Sequence, residues 1–317
     1  MKNRFFKLTI VLVAVTALIA SLAALTSAAT FSAWEPAKNA ESVPGTSSVL
    51  NTVDLEGCPG ISRDDLSLYF ASSRPGGLGG TDIWVSQRAK PSDAWGAPVN
   101  VRPLNSSAND LCPTPLNGGW FLFVSARAGG CGGDDMYVTY NHPQKGWLEP
   151  QNLGCQVNSA GNEASPSLVE QGWETVLYFS STRPGGFAPE AGGATADMDI
   201  YSSRRLADGS FGAATLVPGM NTAADDSRPN VRKDGLEMVF DSTRPGGLGG
   251  PDIWSTRRTS LQDAWSAPVN LGSAVNSPDV DVRAVLSADG KTLFFGSTRS
   301  SSEGNQDLYF STRERTD

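Results

Sequence analysis

Short runs of alternating or aromatic-rich apolar residues run along the chain, separated by clusters of Gly, Pro, Asn and Asp. No segment after residue 29 holds a 3.6-residue apolar period. Runs such as residues 66–72 and 82–87 have the length and composition of strands, and the clusters between them suit tight turns. The runs recur as one phrase. Leu68-Tyr69-Phe70-Ala71-Ser72-Ser73-Arg74-Pro75-Gly76-Gly77 is matched by residues 238–247 and 177–186, and more loosely by 121–130 and 293–302. Its arginine falls at Arg74, Arg127, Arg183, Arg244 and Arg299. An Asp with two apolar residues behind it follows each time, at Asp82, Asp135, Asp199, Asp252 and Asp307. Next comes Trp95-x-x-Pro98-x-Asn100, repeated from Trp147 and Trp265, with Phe211 opening a degraded copy.

Four strands in a repeat of about 55 residues make one propeller blade, and the absent helical period excludes a helical solenoid. A stricter element precedes each phrase: an Asn and, five residues on, an acid. The pairs are Asn51/Glu56, Asn105/Asp110, Asn158/Glu163, Asn221/Asp226 and Asn276/Asp281. Three residues after the acid stands Pro59, Pro113, Pro166 or Pro229, with Ala284 in the last copy. The fifth repeat stops near Arg313, after its third strand, and Trp34-Glu35-Pro36 is a displaced copy of the missing fourth element. The sequence therefore predicts an all-β protein, a five-bladed β-propeller closed by an N-terminal strand that completes the last blade. Closure of this kind removes two open sheet edges. Residues 30–317 are expected to form a single domain.

The phrase Asp-Gly-x-x-Leu-x-Phe-x-Ser-x-Arg, as in residues 289–299, followed by Asp307-Leu308-Tyr309, resembles the WD-like propeller repeat of the TolB type. The resemblance spans about residues 50–313. It implies a fold class whose members serve as periplasmic binding and scaffolding modules, as peptidase domains and in sugar processing; fold alone does not choose among these.

The N-terminus adds a compartment. Residues 1–7 are basic, 8–25 apolar, and Thr26-Ser27-Ala28-Ala29 small, which reads as a signal peptide over residues 1–29, with retention as a membrane anchor the alternative. A secreted, periplasmic or cell-envelope protein is expected. Export makes the four cysteines disulfide candidates. The repeat register pairs Cys58 with Cys112 on neighbouring inner strands, and Cys131 with Cys155 on one rim. Composition then removes chemistry. With 33 acidic against 25 basic side chains and a net charge of −8, nucleic acid is excluded as a natural partner. His142 is the one histidine, so multi-histidine metal sites are excluded and no metal or cofactor is expected. A monomer is expected, with a protein, peptide or glycan as ligand.

In a propeller the first strand of each blade lines the axis. Glu56, Asp110, Glu163, Asp226 and Asp281 thus fall near one rim with the blade arginines and the strand-start aspartates. Two readings stand: an acidic funnel for a ligand, or five arginine–carboxylate pairs that pin loops. Two residues beyond each acid come Cys58, Cys112, Ser165, Arg228 and Arg283, which a period of two turns towards the channel with the acid. Arg228 and Arg283, with Asp226 and Asp281, form the candidate site for a ligand carboxylate or phosphate; alternatively each arginine neutralises its neighbouring acid. The Gly-rich loops 74–80 and 244–250 lack the strand-to-helix setting and the Lys-Ser/Thr of a phosphate cradle. Residues 187–198 read as a lid or a surface excursion, and Trp120 and Trp173 as sugar-stacking or packing residues. The leading expectation is a non-catalytic binding or scaffold propeller. The alternative is a glycoside hydrolase-like enzyme using two of the five inner-strand acids, which needs a pair with separated roles.

Overall fold

Each repeat folds as an antiparallel sheet of four strands, with a fifth, Gly146–Trp147, added in blade 2, because Gly- and Asp-containing turns between the alternating runs reverse the chain. The computed structural model describes residues 29–171, 174–187 and 197–317. The leader, Trp173 and residues 188–196 of the long third-blade loop lie outside them. Blade 1 runs from the inner strand Glu56–Ile61 through Ser67–Ser72 and Asp82–Gln87 to the short outer strand Val99–Asn100. Blades 2, 3 and 4 begin at the inner strands Asp110–Pro115, Glu163–Gln171 and Asp226–Val231 and keep the same order.

Blade 5 begins at Asp281–Leu286, and its outermost strand is Lys38–Asn39, paired antiparallel as Lys38 with Phe310 and Asn39 with Tyr309. The expected closure by the N-terminal strand is therefore present. Trp34-Glu35 also takes its predicted register. Ser311 Oγ donates to Glu35 O at 2.5 Å, as Ser86 Oγ does to Gly96 O and Thr256 Oγ to Ser266 O.

The repeated asparagine is a latch between blades. Asn105 accepts from Ile83 N (2.8 Å) and donates to Ile83 O (3.0 Å), so the entry to blade 2 is tied to the third strand of blade 1. Asn158 does the same to Met136, Asn221 to Ile200, Asn276 to Ile253, and Asn51 to Leu308 across the closure. Such paired bonds satisfy backbone groups that the strand ladder leaves open.

Period two fails at one place in every inner strand. The register slips between Gly57 and Gly60, and at the four equivalent positions, which is a β-bulge. At the bulge Cys58, Cys112, Ser165, Arg228 and Arg283 take positive φ, between 47° and 60°. The proline that follows in four blades has no N–H to give the ladder, which favours a break there. The bulge turns these five side chains onto the axis and separates them from the acids two residues before. The expectation that acid and bulge residue face one channel together is thereby corrected. Both predicted disulfides are formed, with Cα–Cα distances of 4.8 Å for Cys58–Cys112 and 5.6 Å for Cys131–Cys155.

Candidate functional site

The five inner-strand acids are fully buried, and each is held by its blade arginine. Arg74–Glu56, Arg127–Asp110, Arg183–Glu163, Arg244–Asp226 and Arg299–Asp281 close at 3.0, 2.7, 3.2, 2.5 and 2.6 Å. A Ser or Thr four residues before the acid donates to it in every blade, as Thr52 does to Glu56, and in blades 1, 3 and 4 so does the Ser at the end of the second strand, as Ser72 does to Glu56. The guanidinium lies between two rings, Phe70 and Trp84 in blade 1. Both oxygens of each carboxylate accept hydrogen bonds in the buried interior, so these acids brace the loops and form neither an open funnel nor an accessible catalytic pair. Asp226 and Asp281 accordingly do not join Arg228 and Arg283 in one site.

The strand-start aspartates are held by loop amides and an outer-strand asparagine instead, and Oδ1 of Asp135, Asp199, Asp252 and Asp307 is buried without a hydrogen-bond partner. Asp82 accepts from Leu78 N and Gly79 N of the Gly-rich loop and from Asn100 Nδ2 at 2.9 Å. Asp135, Asp252 and Asp307 receive the same amide bond from Asn152, Asn270 and Asn39. In the degraded third copy the equivalent residue is Leu216, opposite Tyr201. Burial pushes the Asp199 carboxyl up to about 6, with Asp197, Asp226 and Asp225 adding repulsion against the Phe187 N–H. Because the folded value lies above the ordinary 3.8, this proton's contribution to stability is complete below 3.8 and is lost as pH rises through 6. Leu216→Asn is expected to lower the Asp199 carboxyl from about 6 in a carboxyl-carbon NMR titration. The unfolding temperature should then rise at pH 7 and not at pH 4.

The bulge residues surround an axial cavity of about 160 Å³ that opens towards the hairpins joining first and second strands. On one side lie the Cys58–Cys112 disulfide and Ser165, whose Oγ is 3.3 Å from Cys112 Sγ. On the other lie Arg228 and Arg283. Arg228 pairs with Asp241 at 2.7 Å, and the other oxygen of Asp241 accepts from the backbone N of Arg283 at 2.8 Å. Burial raises Asp241, against the opposing charge of Arg228. Sequence reading missed Asp241, although the aligned positions are Ala71, Val124, Ser180 and Gly296.

Two further cavities share this hairpin face. A groove of about 670 Å³ between blades 2 and 3 shares Arg63, Leu116, Asn117, Leu168 and Lys233 with the axial cavity. Trp120, 51% exposed, and Phe211 line it. Trp120 leans on Tyr140 with ring centroids 5.1 Å apart and presents an open face, so it is not an interblade packing residue. A polar cavity of about 230 Å³ between blades 1 and 5 holds Asp65 and Asp289 and shares Ser287 with the axial cavity.

Asp65 stands where Gly235 and Gly290 close the same turn: each N–H donates to the carbonyl three residues back. All three take positive φ, 58° for Asp65, where glycine is the unstrained choice. Its Oδ1 is buried without a hydrogen-bond partner. Burial raises its affinity for a proton, and the neighbouring Asp289 adds to this against Arg88. Asp289 Oδ1 accepts from Ser287 Oγ at 2.7 Å and Lys291 N at 2.9 Å.

No protein-family model matches the chain, and no curated protein matches it. Solved structures do. An α-L-arabinofuranosidase from Podospora anserina, in complex with cellotriose, superposes with a TM-score of 0.55 at 12% identity, over 89% of this chain and 97% of that one. An endo-arabinase from Bacteroides thetaiotaomicron gives 0.55 at 14%, over 84% and 98%. A xylan β-1,4-xylosidase from Bacillus halodurans gives 0.55 at 14%, over 84% of this chain and 54% of the other. At such identities the likeness establishes the five-bladed fold. It also corrects the TolB-type expectation, since the structures named here, each with a TM-score above 0.5, are arabinan- and xylan-type glycosidases. The expectation of a non-catalytic binding or scaffold module, drawn from a rigid ring without a nucleophile–base pair, is corrected by the same neighbours, which are glycosidases.

Proposed function

We propose that the protein is a carbohydrate-active enzyme that takes an oligosaccharide across the hairpin face and cleaves it beside Asp65. The observation that carries this reading is Asp65 itself. A carboxyl group occupies a strained turn position that two other blades give to glycine, and it lines a polar cavity with a buried, unpartnered oxygen and a second carboxylate beside it. A carboxyl whose hold on its proton is raised by burial suits a general acid, and glycoside hydrolysis uses two carboxyl groups in different roles. In this reading Asp65 donates its proton to the departing glycosidic oxygen. Asp289 takes the proton of the water that attacks the anomeric carbon.

Two other features support a glycan. The adjoining groove exceeds the roughly 300 Å³ at which ligand pockets begin, and Trp120 offers it an aromatic platform. The similar folds named above include hydrolases of arabinan and xylan. The apolar leader and the two disulfides support an exported protein that meets its glycan outside the cytoplasm.

The test is reducing-end release from arabinan, arabinoxylan, xylan and pectic polysaccharide, by wild type and by Asp65→Gly. Glycine fits the left-handed turn, so the variant should keep or raise the unfolding temperature while losing activity by about 100-fold or more, the usual contribution of a positioned acid. Full activity in Asp65→Gly would overturn the assignment. A wild-type protein inactive on every glycan would overturn the reading as a whole.

A further inference from the structure

We infer that the saccharide taken at this site is acidic, a uronic-acid oligosaccharide whose carboxylate docks in the axial cavity on Arg283. The inference rests on the proposed glycan reading and adds the chemical class of the substrate. In a chain of net charge −8, the residues lining the axial cavity include Arg63, Arg228, Arg232, Lys233 and Arg283, and no Asp or Glu. The local sign of charge is inverted where a ligand would end.

These cations are not equally free. Arg232 is spent on Asp234 and Glu237, and Arg228 on Asp241. Among the described residues Arg283 has no carboxylate within salt-bridge distance. Its guanidinium reaches Gln306 Oε1 at 3.4 Å, while its Nε is buried without a partner. Asp241 is paired with the Arg228 guanidinium and meets Arg283 through the backbone N–H, so one carboxylate stands beside two arginines and a positive charge is left over. Burial and the charge of Arg228 pull Arg283 down to about 10, the mark of a cation short of counter-charge. Gln306 Nε2, also buried and unpartnered, is a second donor beside it. A carboxylate on Arg283 would supply the missing counter-charge.

Backbone strain and size agree. Arg283 holds φ at +60°, where glycine would be easier, so the side chain is kept against a local cost. A cavity of about 160 Å³ is too small for a whole oligosaccharide and suits one terminal unit. The remainder leads past Arg63, on the hairpin that carries Asp65, and past Lys233, both exposed, into the groove under Trp120.

The experiment is titration calorimetry on the full exported chain with tri-galacturonate, with neutral galactotriose and with inorganic phosphate. Wild type is expected to bind tri-galacturonate at least 10-fold more tightly than galactotriose. Arg283→Gly should abolish that preference without lowering the unfolding temperature, since glycine suits the bulge. Arg63→Gln, at the exposed mouth, should reduce it about threefold, and added salt should weaken it. Equal binding of both sugars, unaffected at Arg283, would overturn the acidic-substrate inference and leave the glycan reading standing. Phosphate binding without binding of either sugar, or no binding at all, would overturn both.

Discussion

Glu237→Gln is expected to destabilise the protein by about 3–5 kcal/mol, the usual result of removing one charge from a buried ion cluster. Glu237 is buried between blades 4 and 5 and holds three arginines. Arg313 reaches it at 2.8 and 2.6 Å, Arg232 at 2.8 Å and Arg257 at 3.0 Å. The glutamine is nearly isosteric, so packing survives while three guanidinium groups lose their shared anion. Burial alone would raise the Glu237 pKa; the hydrogen bonds and charge of Arg313, then Arg257 and Arg232, outweigh it and hold it below 4.5. A depressed folded value means that the stabilisation is present above 4.5 and lost as pH falls through the folded value. Denaturant unfolding should therefore show a wide gap between wild type and variant at pH 7 that narrows with acidification. A gap independent of pH would contradict the assignment.

Deleting residues 30–49 is expected to abolish soluble, monomeric protein. The strand Lys38–Asn39 covers the third strand of blade 5, and without it the edge from Asp307 to Thr312 lies open for pairing with another chain. The same deletion strips Phe31 and Trp34 from Arg313, whose guanidinium lies 3.9 and 4.2 Å from their ring centroids. It also removes the Asn39 bond to Asp307. Size-exclusion chromatography and thermal unfolding check this; a monomer with unchanged unfolding temperature would refute closure as a source of stability.

The deletion result bears on why the fold could be read from the sequence. Five copies of one phrase reveal the blade, and a displaced Trp34-Glu35-Pro36 reveals the closure, because a blade missing one strand must find it elsewhere. The cysteine pairs follow from register alone. The arginine–acid pairs are legible for the same reason: a group present in every blade serves the blade. What stayed hidden depends on departures from period two. The bulge sends Cys58 and Arg283 to the axis and leaves Glu56 and Asp281 beside their arginines. The prolines after four bulge residues were its signal, since a proline inside an inner strand marks a broken ladder. Asp65 and Asp241 escaped because each resembles ordinary turn or strand polarity. Only alignment with Gly235 and Gly290, or with Ala71 and Gly296, exposes a charged residue where the repeat asks for a small one.

The central claim is that an oligosaccharide lies across the hairpin face, from the axial cavity to Trp120. Amide hydrogen exchange of Asp65→Gly protein, with and without a bound oligosaccharide, tests it most directly because binding is read without turnover. The account predicts added protection at residues 62–66, 116–120, 209–211 and 283–290. Protection confined to the opposite rim, around residues 105–110 and 275–281, would contradict it.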